Sequence, residues 1–259
     1  TTALRRAVRQ ERLYQRPLAI GQATTNTHIT SNDDHIHQTR PRRVSQRILR
    51  SGTARWGVTV LAFSGSDVDG GLYLRITRLA SHTPTVLNDV VSYWTDFGLG
   101  VFAVLMVAAW WQAREHDSAR MARALAAPLI VVLVYAADMV LKSAVHERRP
   151  CQTLPGAYTV EACPGTGDWS FPSNHAVIAA SAAVVIWLLN RALGVVAAVA
   201  ALAMAASRVW VGVHYPHDVV AGVLLGVLLA VPLMLAAGRA APWVERLRTS
   251  PLRPVVARR

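Results

Sequence analysis

Apolar runs of membrane-crossing length constrain this chain more than any other feature. An α-helix needs roughly 20 mostly apolar residues to cross the hydrocarbon of a bilayer. Five stretches reach that length, at about 93–113, 124–144, 174–190, 192–211 and 217–238. Only 16% of the 259 residues are charged and 53% are hydrophobic, whereas about a quarter of a soluble domain is charged. The expected fold class is therefore all-α, a polytopic transmembrane helix bundle with five or six spans. The apolar blocks follow one another too closely for two soluble cores.

The remaining segments divide the chain further. Residues 1–55 are polar and basic, and the piece "TTNTHITSNDDHIHQT" has the composition of a disordered segment. No apolar run there has the length of a secretory signal, the chain begins without Met, and no function is assigned to this part. Residues 56–92 open with "WGVTVLAF", too short to span. The following "GGLYLRITRLASHTP" sets Leu72, Ile76 and Leu79 against Arg75 and Arg78. That pattern suits an N-terminal interfacial helix lying along a membrane surface, or part of a short first crossing. The membrane core is expected over 93–238 and a basic cytoplasmic tail over 239–259.

Charge orients the spans. The loop 112–123, Arg191 and the tail carry Arg114, Arg120, Arg123, Arg239, Arg246 and Arg248, which the positive-inside bias assigns to the cytoplasm. Loops 145–173 and 211–217 then face the extracytoplasmic side. Five crossings from a cytoplasmic C-terminus leave the basic N-terminus outside, so either that tail is exported or 56–83 contains a sixth crossing. Cys151 and Cys163 both fall in 145–173 and form a candidate disulfide, in keeping with an oxidising compartment. Trp110, Trp111, Trp210 and Trp243 sit at span ends, where indoles favour the interface. Gly222 and Gly226 form a small-xxx-small pair that lets helices approach closely, a spacing that ordinary glycine usage also produces.

The net charge of +12 raises nucleic acid as a partner. Its basic runs lack interleaved aromatics and zinc-finger spacing, so nucleic acid is excluded and membrane lipids are expected against the two basic ends.

Three charged clusters interrupt the apolar pattern: "KSAVHERRP" (142–150), "FPSNH" (171–175) and "SRVWVGVHYPHD" (207–218). Ionisable groups in or beside spans are costly unless a partner or ligand compensates. The alternation of spans brings Lys142, Arg149, Arg208, His175 and His214 to one side of the membrane. Three cations that close repel one another unless a dianion, or the charge of a transition state, sits between them. Glu147 and Asp218 read as isolated carboxylates, so no metal site and no cofactor is expected, and His217 reads as a solvated loop histidine.

Lys, six residues, Arg-Pro; Pro-Ser-x-His; Ser-Arg, five residues, His, three residues, Asp: this order resembles the signature of the type-2 phosphatidic acid phosphatases, a superfamily that includes bacterial acid phosphatases and vanadium haloperoxidases. The resemblance covers about 86–238. "LNDVVSYWTDFG" and "GVHYPHDVVAG" look more narrowly like bacitracin-resistance-type undecaprenyl-diphosphate phosphatases. The resemblance implies double displacement through a phosphohistidine, without metal. His214 is then the nucleophile, Asp218 orients it, and His175 protonates the leaving oxygen and later activates water. Lys142, Arg149, Arg208, Ser173 and the backbone amide of Asn174 hold the phosphate. Asn174 stands where the family most often has Gly, which puts the pocket shape in question. Ser207 belongs to the motif with either a site or a packing role. The implied substrate is a lipid phosphate, foremost a polyprenyl diphosphate; phosphatidic acid and phosphatidylglycerol phosphate are the near alternatives. A vanadium haloperoxidase and a non-enzymatic membrane protein are the remote ones.

Overall fold

The computed structural model describes residues 65–257. The segment 1–55, and the part of 56–92 before Gly65, lie outside the described residues. Among those described the chain is helical throughout, with no strand. The elements are α1 (Ser66–Ser81), α2 (Thr85–Phe97), α3 (Leu99–Ala113), α4 (Ser118–Ala144), α5 (Pro150–Thr153), α6 (Asn174–Leu189), α7 (Arg191–Trp210), α8 (Pro216–Ala237), α9 (Ala241–Arg248) and α10 (Arg253–Val256).

Local chemistry sets the helix starts. Asp117 accepts the amide of Arg120 at 2.8 Å and caps α4, and Asn190 accepts the amide of Leu193 at 3.0 Å and caps α7. Such caps satisfy amides that have no acceptor within the helix. Pro216 occupies the first turn of α8, where its missing N–H costs nothing and its fixed φ suits the helix.

Among the described residues three helices are long and apolar enough to cross a membrane: Ser118–Ala144, Arg191–Trp210 and the run Pro216–Arg248. A fourth arises if α2 and α3, bent by 50° at their junction, count as one span. The sequence stretch 93–113 is therefore broken at Gly98 rather than continuous. α6 is apolar but has 16 residues, a rise of about 24 Å against about 30 Å of hydrocarbon. It lies at the centre of the bundle, packed by α3, α4, α7 and α8, and most of its residues are buried.

α1 turns an unexpected face to the bundle. Its buried residues are Gly70, Tyr73, Thr77 and Ala80, while Leu72 and Leu79 are 50% and 60% exposed. Leu72 and Leu79 of the apolar stripe legible in the sequence thus point away from the protein, while Ile76 packs against the buried cluster around Tyr73 and Tyr215. Docking is instead through Tyr73, whose ring meets Tyr215 at 5.7 Å and whose hydroxyl donates to the carbonyl of Gly212 at 2.9 Å.

The Gly222 and Gly226 pair has a packing role. A Cβ on Gly222 would stand 2.8 Å from the carbonyl oxygen of Ser173, and one on Gly226 would stand 2.8 Å from that of Val177 and 2.9 Å from the Cβ of Ala180. Both glycines therefore press α8 onto the backbone of α6, the close approach by which helices associate in lipid. Because the obstructing atoms are largely main chain, Gly226→Ala is expected to force the helices apart and cost about 1–3 kcal/mol. Gly100, whose Cβ would meet nothing within 4 Å, is the control. Thermal unfolding in detergent should show a lowered Tm for Gly226→Ala and no loss for Gly100→Ala.

Candidate active site

The site is assembled at one end of the bundle from the end of α4, the 145–173 segment, the start of α6, the end of α7 and the turn into α8. Lys142 lies in the last turn of α4, buried, and its Nζ donates to the carbonyl of Trp169 at 2.9 Å. Arg149, immediately before α5, is 5% exposed. Its Nε donates to the carbonyl of Asp168 at 3.0 Å, Nη2 to the Asp168 carboxylate at 3.0 Å, and Nη1 to the carbonyl of Val213 at 2.9 Å.

The same Nη1 lies 3.1 Å from Nε2 of His214. A guanidinium only donates, so Nε2 is the unprotonated nitrogen and Nδ1 carries the hydrogen. Nδ1 faces Oδ2 of Asp218 at 3.4 Å and Oγ of Ser170 at 3.4 Å, long contacts of the kind that tighten when a reaction site is filled. His214 is 2% exposed. Burial, then the charges of Arg149, Arg208 and Lys142, hold its imidazole well below the ordinary histidine range. The ring is therefore neutral, with a lone pair on Nε2.

Asp218 is fully buried in the first turn of α8. Its Oδ2 accepts from the Ser170 hydroxyl at 2.5 Å and from the Tyr215 amide at 2.8 Å. One oxygen thus caps the helix and faces the imidazole. Pro216 opens the helix, and Asp218 in its first turn stands 3.4 Å from Nδ1 of His214.

Arg208 is buried near the end of α7. Its Nη1 donates to Oγ1 of Thr95 at 2.7 Å and pairs with Glu161 at 3.5 Å, while its Nε has no acceptor among the described residues. Ser207 bonds the same Thr95 hydroxyl at 2.9 Å and donates to the carbonyl of Met204 at 2.7 Å, so it positions the partner of Arg208. Ser173 is fully buried at the start of α6, and its Oγ also lacks a partner among the described residues. The first amides of α6 have no acceptor within the helix, an arrangement that favours anions. Asn174 belongs to this regular helix, so the position demands no left-handed backbone. His175, half-buried, occupies the same turn.

Two sequence expectations are corrected. His217 is not a solvated loop residue: its Nδ1 lies 2.8 Å from Asp69, its Nε2 lies 3.0 Å from Glu147, and its ring stacks on Tyr215 at 5.3 Å. Nor are Glu147 and Asp218 isolated, because their carboxylates converge on that same imidazole. The sequence reading also missed Ser170, Thr95, Glu161 and Asp138. Asp138 is fully buried one turn before Lys142 with neither carboxylate oxygen hydrogen-bonded among the described residues. Its signal, an aspartate inside an apolar run, was available; the other three carry no pattern. Cys151 and Cys163 are joined by a disulfide across 12 residues. It braces the segment that also brings Val160 against Val211, by a 3.1 Å backbone bond.

A neutral, buried imidazole under a guanidinium clamp, with buried donors awaiting an anion, describes a phosphatase built into a membrane bundle. The chain belongs to the PAP2 superfamily, whose family model matches residues 123–241. It is 32% identical over 170 residues to the bacitracin transport permease protein BcrC of Bacillus licheniformis, a match covering 66% of this chain and 80% of that protein. It is 27% identical over 154 residues to the undecaprenyl-diphosphatase BcrC of Bacillus subtilis (strain 168), covering 58% and 74%. Among solved structures, the first transmembrane PAP2 type phosphatidylglycerolphosphate phosphatase from Bacillus subtilis aligns with a TM-score of 0.49 at 21% identity, covering 66% of this chain and 86% of that one. The protein is a multi-pass membrane hydrolase of the phosphatase type, and the haloperoxidase and non-enzymatic readings give way.

The neutrality of His214 has a stability consequence. As pH falls below about 6.5 the unfolded chain protonates this histidine and the native one does not. Stability is expected to decline with falling pH through that window. Thermal melts between pH 7 and 5 should show a shallower decline for His214→Asn than for the wild type; equal slopes would remove His214 as the responsible group.

Proposed function

We propose that this phosphatase removes the terminal phosphate of a polyprenyl diphosphate, yielding the monophosphate and inorganic phosphate, at the extracytoplasmic face of the membrane. The observation that carries the reading is the unprotonated Nε2 of His214 set against Arg149, beside two buried donors, Ser173 Oγ and Arg208 Nε, that lack acceptors. A buried donor left unpaired is costly, and the nonbridging oxygens of a phosphate supply what these lack. The choice of substrate is supported by the undecaprenyl-diphosphatase named among the relatives.

In the proposed reaction Nε2 of His214 attacks phosphorus and forms a P–N bond as the bond to the lipid-linked oxygen breaks. His175 gives that oxygen its proton. Water then attacks the phosphohistidine, giving a proton to His175, and inorganic phosphate leaves. Asp218 holds the imidazole through Nδ1 and balances its charge during attack. Lys142, Arg149, Arg208, Ser173 and the amide of Asn174 bind the charge that develops on the equatorial oxygens, the dominant contribution in phosphoryl transfer. No step uses a metal ion.

The orientation rests on the arginine-rich ends of the cytoplasmic set of loops. The arrangement of five or six crossings counts α6 as a span shielded by its neighbours, and α1 as an interfacial helix with Leu72 and Leu79 toward lipid.

Purified protein should be compared on polyprenyl diphosphate, polyprenyl monophosphate and phosphatidic acid. The proposal expects kcat/KM highest on the diphosphate; preference for phosphatidic acid would reassign the substrate. His214→Ala should abolish phosphate release, and Arg208→Ala should lower kcat by about 10²–10³. Undiminished release by His214→Ala would end the mechanism.

A further inference from the structure

The face of Asp218 turned away from His214 holds a group of residues that the phosphatase chemistry does not use. Glu147, fully buried, and His217 meet there, with Asp69 of α1 on the far side of the imidazole. We propose that Glu147, His217 and Asp218 are the ligands of a divalent cation, with Zn²⁺ the ion their chemistry fits, and that Asp69 orients the histidine for it.

The ligand atoms are already placed for an ion. Nε2 of His217 lies 3.0 and 3.2 Å from the two Glu147 oxygens and 3.5 Å from Oδ1 of Asp218. Around a tetrahedral ion with bonds of about 2.0–2.1 Å, neighbouring donors stand roughly 3.3 Å apart, within the observed range. Oδ1 of Asp218 gives the independent indication. It is fully buried, it accepts no hydrogen bond among the described residues, and it is aimed into this cluster, while Oδ2 accepts from Ser170 and from the Tyr215 amide. A carboxylate oxygen in that position wants a cation.

Asp69 completes the arrangement. It leaves the helical conformation of α1, with φ −146° and ψ 22°, and its two oxygens receive the His217 amide at 2.7 Å and Nδ1 at 2.8 Å. A metal-binding histidine characteristically gives its second ring hydrogen to a carboxylate, which fixes the ring and leaves the other nitrogen for the ion. Three carboxylates crowd one imidazole here, and a divalent charge relieves that repulsion better than a single imidazolium. A mixed nitrogen and oxygen set favours Zn²⁺ over Mg²⁺ or Ca²⁺, which prefer oxygen throughout. The ion replaces the sequence expectation of no metal site. It bonds the oxygen of Asp218 that does not face His214, so it ties α1, the Glu147 segment and the start of α8 together without touching the phosphate. The proposal is independent of which lipid is hydrolysed.

The test is titration of Zn²⁺ into chelator-stripped, detergent-purified full-length protein, with Co²⁺ as a spectroscopic probe. The His28, His35 and His37 triple Ala variant removes competing histidines near the N-terminus. One site is expected, retained in that triple variant and weakened at least tenfold by His217→Gln and by Asp69→Asn. Should those two variants not fold, the triple variant alone decides: Co²⁺ is expected to give the intense visible bands of a four-coordinate site. No uptake, binding undiminished by His217→Gln, or only the weak spectrum of hydrated Co²⁺ would overturn the proposal.

Discussion

The carboxylate of Asp218 is the fixed point around which this site is built. Buried without solvent, it is tolerated because one oxygen accepts from a serine of the preceding segment and from the backbone at its own helix start, and faces the imidazole of His214 at 3.4 Å. Removing water makes each of these interactions stronger than it would be at a surface, and makes a missing partner more costly. The loop before α6 and the first turn of α8 are thereby locked to each other, reinforced by the bond from the Ser173 amide to the Asp218 carbonyl at 3.1 Å. The glycines of α8 continue that registration along α6. Site and bundle share one interface.

Compensation of charge explains the company each cation keeps. Arg149 is matched by Asp168 and by backbone carbonyls, Arg208 by Glu161 and Thr95, and Lys142 by the Trp169 carbonyl with Asp138 one turn below. Glu161 is itself raised above the ordinary carboxylate range by burial, an effect that Arg208 opposes. The resting site holds three cations without collapse because each has local support, yet Arg208 retains an unpaired nitrogen.

Much of this was legible in the sequence, and the limit has a physical origin. Apolar length identifies α4, α7 and α8 because lipid imposes it. The spacing of Lys142, Arg149, Ser173, His175, Arg208, His214 and Asp218 is readable because it follows the order of a family signature. What stayed hidden depends on contacts between distant segments. Asp69 reaches His217 across 148 positions, Thr95 reaches Arg208 across 113, and Ser170 reaches Asp218 across 48. No local pattern encodes such pairs, and the sequence alone leaves His217 looking solvated. The stripe of leucines on α1 was visible, but the docking face through Tyr73 depended on where Gly212 and Tyr215 would lie.

The contact between Arg149 and His214 has one more implication. In the resting protein the lone pair of Nε2 is engaged by a guanidinium hydrogen, so the nitrogen is masked from stray electrophiles and from water. In the proposed reaction an arriving tetrahedral anion would compete for the same hydrogen, and by drawing it away would uncover the nitrogen as a phosphorus atom stands before it. On that proposal reactivity would be gated by occupancy, with the arginine as a shutter whose latch is the substrate's own oxygen.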